Sequence, residues 1–338
     1  MRLDDFVDRR TDRGNTGRRA PLRIAFWLSW LIGGAALAAL IVVALELSEE
    51  RALWRLAESA QPWWMAVAVL VQAATYLAQG EVWRVVARAG GSSVSMPVAF
   101  KLSLAQLFID QALPSGGISG AVFVIRSLER RGVPRAVVMA SLLVDRVAYH
   151  GAYALALCLA IGIALMGGEV SPLILALAAF LSIISVLLTG VAVLAARGIS
   201  LPAALRNIRL LGKILSLLGE ADPALMRNLP LMMKSTVLQL MVIALDAATV
   251  WILIRSLGET ATASGVFVSF MAASLLRTIS IIPGGLGVFE ATSVLALQHS
   301  GTSIPVALGA TMLFRGLSFW LPMLPGIVFS RGAGHATM

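Results

Sequence analysis

Charged residues, cysteine and histidine are all scarce in this sequence. Charged side chains make up 13% of the 338 residues, whereas soluble domains carry roughly 25%. The one cysteine, Cys158, lies in an apolar segment, so neither a disulfide framework nor a cysteine zinc site can be built from it. Only three histidines are present, and no HExxH, GxSxG or P-loop pattern occurs. We therefore expect no enzyme, no metal site and no cofactor.

Long apolar runs take the place of the missing charges. Five runs each supply about the 20 apolar residues that cross a bilayer: 22–47, 62–80, 147–168, 173–196 and 237–254. The first 21 residues hold six Arg and four Asp and are expected to form a solvated tail. The run that follows is longer than the 7–15-residue apolar region of a signal peptide, so it is predicted to be a retained span. The pattern predicts an all-α integral membrane protein with about six full spans.

The net charge of +9 is concentrated between the apolar runs, in arginine clusters at 2–23, 126–135 and 197–234. No aromatic residues interleave with these arginines, which argues against nucleic-acid binding. Basic loops of this kind face the cytoplasm and anionic lipid. We expect a multi-pass protein of the plasma (inner) membrane, with both termini cytoplasmic and no nucleic-acid partner.

Two apolar segments are interrupted by proline and glycine. Residues 97–112 and 118–128 flank Pro114-Ser115-Gly116-Gly117, and residues 262–282 and 286–299 flank Pro283-Gly284-Gly285-Leu286-Gly287. Because the arms of the first pair are short, we interpret it as a hairpin that enters and leaves on one side, although full crossing stays open. The second pair is interpreted as its counterpart.

The order of span, span, broken hairpin and span occurs twice, in residues 22–166 and 173–330. Loop charge places the start of the first copy inside and that of the second outside, which predicts an inverted repeat. The connector 197–233 is predicted to carry an amphipathic helix on the cytoplasmic surface. Glycine and arginine recur at equal distances from the two prolines, at Gly132 and Gly301 and at Arg146 and Arg315.

Several charges fall deep inside the predicted spans. Arg146 and Arg315 are roughly 18 and 16 Å from a membrane face at about 1.5 Å per residue, and Arg277 is also deep. Such charges usually mark a pathway or a partner, and a guanidinium suits phosphate or carboxylate. The simpler alternative is a set of ion pairs between helices, with Arg277 or Arg315 pairing with Glu290 or Asp246.

The interruptions add a second feature of anion sites. A half-helix that begins after a breaker directs free N–H groups and a positive dipole end at a cavity, and two such ends at a repeat interface can form a transporter site. The alternative is two kinked spans packed through glycine. The predicted substrate-binding residues are Asp110, Ser115, Gly116, Gly117, Ser119, Asp145, Arg146, Asp246, Arg277, Pro283, Gly284, Gly285, Gly287, Glu290 and Arg315.

At its two breakers the sequence resembles the lysylphosphatidylglycerol synthase transmembrane, or flippase-like, family. The residues that carry the resemblance are Pro114–Gly120, Gly132 and Asp145-Arg146 in the first half, and Pro283–Glu290, Gly301 and Arg315 in the second. Two-part members add a soluble domain that aminoacylates phosphatidylglycerol; this chain is expected to be a stand-alone member without it. Many members carry Arg and Glu just after the first proline-glycine, where Gly117, Ser119 and Gly120 stand here.

The resemblance implies movement of a charged lipid between leaflets. We expect a flippase for a phosphate-bearing headgroup, with an anionic or aminoacylated phospholipid, or a polyprenyl phosphate, as its partner. The alternatives are a membrane enzyme and an accessory subunit in lipid or polyprenyl-linked biosynthesis. A homodimer also stays open.

Overall fold

The computed structural model describes residues 61–112, 118–166, 220–280 and 283–332. These residues fold into helices joined by short turns, and they contain no strand. Four of the helical segments are long and apolar enough to span a membrane: Pro62–Ala89, Arg135–Met166, Leu229–Ser256 and Ile304–Ser330. The prediction of an all-α membrane protein is confirmed. The total of six spans stays a prediction, because 22–47 and 173–196 lie outside the described residues, as does the tail 1–21.

The helices follow the predicted order. The first half contains α1 (Pro62–Ala89), α2 (Met96–Ala112), α3 (Ile118–Glu129) and α4 (Arg135–Met166). A short α5 (Pro223–Arg227) precedes the second half, which contains α6 (Leu229–Ser256), α7 (Ala263–Ile279), α8 (Val288–His299), α9 (Ile304–Arg315) and α10 (Leu321–Gly332). At about 1.5 Å per residue, α3 and α8 are shorter than the roughly 30 Å of hydrocarbon in a bilayer.

The end of the predicted connector 197–233 is helical, because α6 already begins at Leu229. The Asn228 side chain accepts a hydrogen bond from the backbone N–H of Leu231 at 3.0 Å and caps α6, which has Pro230 in its first turn. Asp222 caps α5 in the same way, through the N–H of Ala224. Asparagine and aspartate satisfy the free N–H groups at helix starts. The amphipathic helix predicted for 208–218 lies outside the described residues.

Four of the described helices end in the same glycine turn, two in each half. After α1 and α6 the glycines are Gly91 and Gly258, and after α3 and α8 they are Gly132 and Gly301; all four have positive φ. In each case the residue after the glycine donates its N–H to a carbonyl five residues earlier. This is the Schellman helix ending, which favours glycine because its left-handed backbone carries no Cβ. The repeated Gly132 and Gly301 of the sequence are therefore equivalent turns.

The equivalent helices α1 and α6 each contain 28 residues and pack antiparallel. At one end, the N–H of Gln61 donates to the carbonyl of Ser256 at 2.8 Å. Further along, Gln72 contacts Asp246 and Gln79 contacts Gln239. Because residue numbers rise on α1 as they fall on α6, the two halves are inverted relative to each other.

The last span contains an irregularity that the sequence did not indicate. Residues Gly316–Trp320 form a π turn between α9 and α10. The Tyr76 hydroxyl on α1 donates to this turn, lying 3.2 Å from the carbonyl oxygen of Leu317 and 3.3 Å from that of Ser318. π turns leave carbonyls without helical partners and are frequent at functional sites.

Candidate functional site

A polar cavity of about 310 Å³ lies between the two halves. It is bordered by the central parts of the four candidate spans together with α2 and α7. Its charged lining residues are Asp110, Asp145, Arg146, Asp246, Arg277 and Arg315, and its uncharged polar residues include Gln72, Gln79, Gln106 and Gln239. The structure thus brings six of the predicted site residues to one cavity.

Arg146 and Arg277 approach the cavity from different halves. Both side chains are exposed where they border the cavity, although their helices α4 and α7 pack against other helices. Within the described parts of the chain, neither guanidinium makes a hydrogen bond or an ion pair. Arg146 interacts electrostatically with Asp110 and Asp145, and Arg277 with Asp246. Two guanidinium groups with unused donors are available to an anion.

Arg315 differs because it is buried and paired. Its Nε donates to Glu290 Oε1 at 2.5 Å, and the two side chains are 4% and 1% exposed. A second guanidinium nitrogen donates to the carbonyl of Gly284 at 3.0 Å. The guanidinium also lies 4.4 Å from the ring centre of Phe319. Arg315 therefore binds the second breaker to α8 and α9, an arrangement we call the Arg315 latch.

Glu290 also holds the breaker through its other oxygen, since Oε2 accepts the N–H of Gly287 at 2.6 Å. This N–H, which was expected to face a ligand, is thus bound within the protein. The 3₁₀ turn Pro283–Gly285 leads into the latch, with φ of +65° at Gly284 and +63° at Gly285. A Cβ on Gly285 would overlap the Arg277 side chain, so glycine is needed here for both backbone and space.

The first breaker is only partly described. Pro114, Ser115, Gly116 and Gly117 lie outside the described residues, and Ser119 is half-buried in the first turn of α3. The N–H of Gly120 donates to Asp110 Oδ1 at 3.0 Å. The Asp110 carboxylate therefore accepts a hydrogen bond from an N–H group near the start of this half-helix, as Glu290 does at the second breaker.

An amide network that the sequence interpretation missed runs along α1 and α6. Asp145 Oδ1 accepts from Gln79 Nε2 at 2.9 Å and from Gln239 Nε2 at 2.7 Å. Gln72 donates to Asp246 at 3.1 Å. The sequence contains one signal for this network, namely glutamines inside predicted spans, because buried polar groups need hydrogen-bond partners. Their spacing alone does not show which carboxylate they bind.

Charged residues near the helix ends form separate contacts. Glu81 and Arg84, three residues apart on α1, form a local ion pair. Lys101 Nζ lies 5.6 Å from the ring centre of Phe329. No group of three or more histidine, cysteine or acidic side chains suited to a metal ion occurs within 61–112, 118–166, 220–280 and 283–332.

Comparison with known proteins identifies the fold's family. The model of the lysylphosphatidylglycerol synthase TM region matches residues 26–326. The chain belongs to this family. It is also similar to a UPF0104 membrane protein of Pyrococcus horikoshii, with 35% identity over 81 residues, which is 24% of each chain. The matched segment thus spans about a quarter of that relative.

In this member of the lysylphosphatidylglycerol synthase TM family, the two halves treat their equivalent arginines differently. Arg146 stands at the same distance from Pro114 as Arg315 does from Pro283. The position of Glu290, counted in the same way, is occupied by Ala121 in the first half. Because alanine has no carboxylate, Ala121 cannot pair with Arg146, and no ion pair holds Arg146 within the described parts of the chain. Both arginines line the cavity, but Arg315 is buried and paired with Glu290, whereas Arg146 is exposed.

An apolar groove of about 300 Å³ adjoins the polar cavity in this family member. It lies between α1, α2 and the end of the last span, with Val69, Leu104, Leu321 and Pro325 among its lining residues. Gln72 and Tyr76 line both spaces and so form their boundary. A polar space and an apolar space therefore meet at one wall.

Proposed function

We propose that the protein moves the phosphate-bearing headgroup of a lipid between the two leaflets of the plasma (inner) membrane. The observation that carries the proposal is the cavity itself, which lies between inverted halves and contains two exposed guanidinium groups. Charged groups are costly inside a bilayer unless they have a partner or line a pathway. Binding sites at the interface of inverted repeats are typical of transporters.

The headgroup phosphate binds between Arg146 and Arg277 in this proposal. Their donors come from opposite halves, so one phosphate between them contacts both halves of the protein. Rocking of one half against the other then opens the cavity to each leaflet in turn. Arg315 has a different role, because two of its N–H groups already donate to Glu290 and Gly284 and its side chain is buried. It keeps the wall of the cavity in place.

The adjacent groove supports a lipid rather than a free phosphate as substrate. Its walls are apolar apart from Gln72 and Tyr76. An acyl or prenyl tail lies in this groove while the headgroup occupies the polar cavity, so the tail does not leave an apolar environment. In this proposal the protein lies in the plasma (inner) membrane with both termini in the cytoplasm, as the loop charge predicts.

The test is a headgroup-accessibility assay in proteoliposomes. Phosphatidylglycerol, phosphatidylethanolamine and a polyprenyl phosphate are compared with a neutral glycolipid that lacks phosphate. We expect transport of at least one phosphate-bearing lipid and none of the glycolipid. Arg146→Ala and Arg277→Ala should each reduce the rate about tenfold to a hundredfold, since a hydrogen bond to a charged group contributes about 1.5–3 kcal/mol.

Arg131→Ala is the matched control, because it removes the same charge from an exposed residue in the turn between α3 and α4. It should transport at the wild-type rate. Equal rates for all three variants would contradict the assignment of the cavity. A new lipid product in the recovered membranes would instead favour the enzyme alternative.

A further inference from the structure

Asp145 is the central residue of the amide network. Its side chain lies inside a candidate span, and the residue is 3% exposed. Both hydrogen bonds to Oδ1 come from neutral amides, one from Gln79 in the first half and one from Gln239 in the second. No guanidinium or ammonium within the described ranges makes an ion pair with it. Asp145 is thus a buried carboxyl group held across the interface of the halves by groups that carry no charge.

Gln239 provides a second, independent observation. The residue is 1% exposed, and its Oε1 atom is buried without a hydrogen-bond donor in the described structure. A buried acceptor without a donor costs about 1–3 kcal/mol. The atom belongs to the same amide that donates to Asp145. Rotation of this amide by half a turn would present Oε1 to the carboxyl, and a proton on Asp145 would then supply the missing donor.

From this geometry we infer that Asp145 binds and releases the proton that couples lipid movement to the proton gradient. The inference rests on the proposed transport function and adds its energy source. Without the proton, Asp145 accepts N–H from Gln79 and Gln239. With the proton, the neutral acid is a weaker acceptor and donates its O–H to Gln239 Oε1. No covalent bond other than O–H forms or breaks, and the proton comes from and returns to water in the cavity.

Protonation thereby changes the contact between the halves. Hydrogen bonds to a charged acceptor are about twice as strong as those between neutral groups. The charged form therefore holds α1, α4 and α6 together, and the neutral form loosens this connection. A single proton alters the interface across which the halves rock.

The other charged groups around Asp145 belong to the same cavity. Arg146 and His150 on α4 interact with it electrostatically, as does Asp110 on α2. The remaining charged residues of the cavity are Asp246 on α6, Arg277 on α7 and Arg315 on α9. Arg315 is neutralised by Glu290. A phosphate that binds Arg146 removes a favourable neighbour of the Asp145 carboxylate, so lipid binding and proton uptake are expected to promote each other.

The main test uses proteoliposomes with an imposed pH gradient and a transported lipid. The wild type should accumulate lipid on one side about tenfold, and Asp145→Asn should show no gradient-driven accumulation, because it cannot exchange a proton. Asp145→Glu keeps a titratable group and should retain part of the response. Ser141→Ala is the matched control, since Ser141 lies one turn away, is buried and bonds only to its own helix. It should respond like the wild type.

Infrared difference spectroscopy separates this inference from the transport proposal. Titration of the purified protein should show protonated carboxyl bands that are lost at higher pH. The spectrum of Asp145→Asn should lack one of these bands, while those of other carboxyls such as Asp110 and Asp246 remain. A protein that shows the Asp145 band but moves no lipid would contradict the transport function and leave the proton site standing. The inference would be overturned by wild-type transport that does not respond to the pH gradient, by a response to sodium instead, or by a spectrum that is unchanged in Asp145→Asn.

Discussion

Arg315 and Glu290 form an ion pair inside the last third of the chain, with 2.5 Å between Nε and Oε1 and almost no exposure of either side chain. The pair joins α9 to the start of α8. A second guanidinium nitrogen of Arg315 donates to the carbonyl of Gly284, and the other carboxylate oxygen of Glu290 accepts the N–H of Gly287. Removal of one partner would leave the other charged and buried. This relationship gives the first prediction.

Glu290→Gln should lower the free energy of unfolding by about 3–5 kcal/mol, the usual cost of breaking a buried ion pair. Thermal unfolding in detergent measures the change. Glu129→Gln is the control, since Glu129 pairs with Arg135 near the surface, where the side chains are 30% and 58% exposed. That variant should lose no more than about 1 kcal/mol. Equal losses in the two variants would show that the latch does not stabilise the fold.

Two glycines with positive φ should respond differently to alanine. Gly132 has φ of +80° and open space where a Cβ would lie, so Gly132→Ala should cost about 1–2 kcal/mol of backbone strain. Gly285→Ala adds an overlap with the Arg277 side chain and should cost more. It should also reduce lipid transport, because Arg277 is displaced. A smaller loss of stability in Gly285→Ala than in Gly132→Ala would contradict the packing of the breaker.

The apolar groove gives a prediction about tail length. Ala73 lines the groove, whereas Leu70 is 69% exposed on the same helix. Ala73→Phe should slow transport of a long-chain lipid but leave transport of its short-chain analogue close to wild type. Leu70→Phe should affect neither lipid. Equal slowing of both lipids by Ala73→Phe would show that the tail does not occupy the groove.

The inverted arrangement predicts that equivalent turns face opposite sides of the membrane. Ser93 and Thr260 are exposed residues two positions after Gly91 and Gly258. In a Cys158→Ser background, Thr260→Cys should react with a membrane-impermeant maleimide in intact cells. Ser93→Cys should react only after permeabilisation. Labelling of both positions from one side would contradict the topology, and the background protein itself should remain unlabelled.

The sequence predicted the features that the hydrocarbon core of a bilayer imposes on any membrane-spanning chain. The length of the apolar runs predicted the four described spans. The cost of buried charge led to the alternative in which Arg277 or Arg315 pairs with Glu290 or Asp246. The choice of Glu290 follows from the fold of the breaker, which places the start of α8 against α9. Residue spacing alone could not supply that geometry.

The amide network and the π turn were not predicted because each depends on contacts between distant segments. Gln79 and Gln239 meet only when α1 and α6 pack antiparallel. The π turn at Gly316–Trp320 is bound by Tyr76, 241 residues from Leu317 in the chain. Both features therefore depend on the packing of the two halves. The site assignment itself stays a prediction that the transport assays address.

The difference between Ala121 and Glu290 bears on the ancestry of the fold. Because the equivalent helices α1 and α6 contact each other, a half-length ancestor inserted in both directions would dimerise through this one helix. Identical subunits necessarily carry the same residue at both equivalent positions, so either both arginines would be clamped or both would be open. Duplication gives each half its own sequence, so one arginine can be fixed by Glu290 while the equivalent position in the other half carries Ala121.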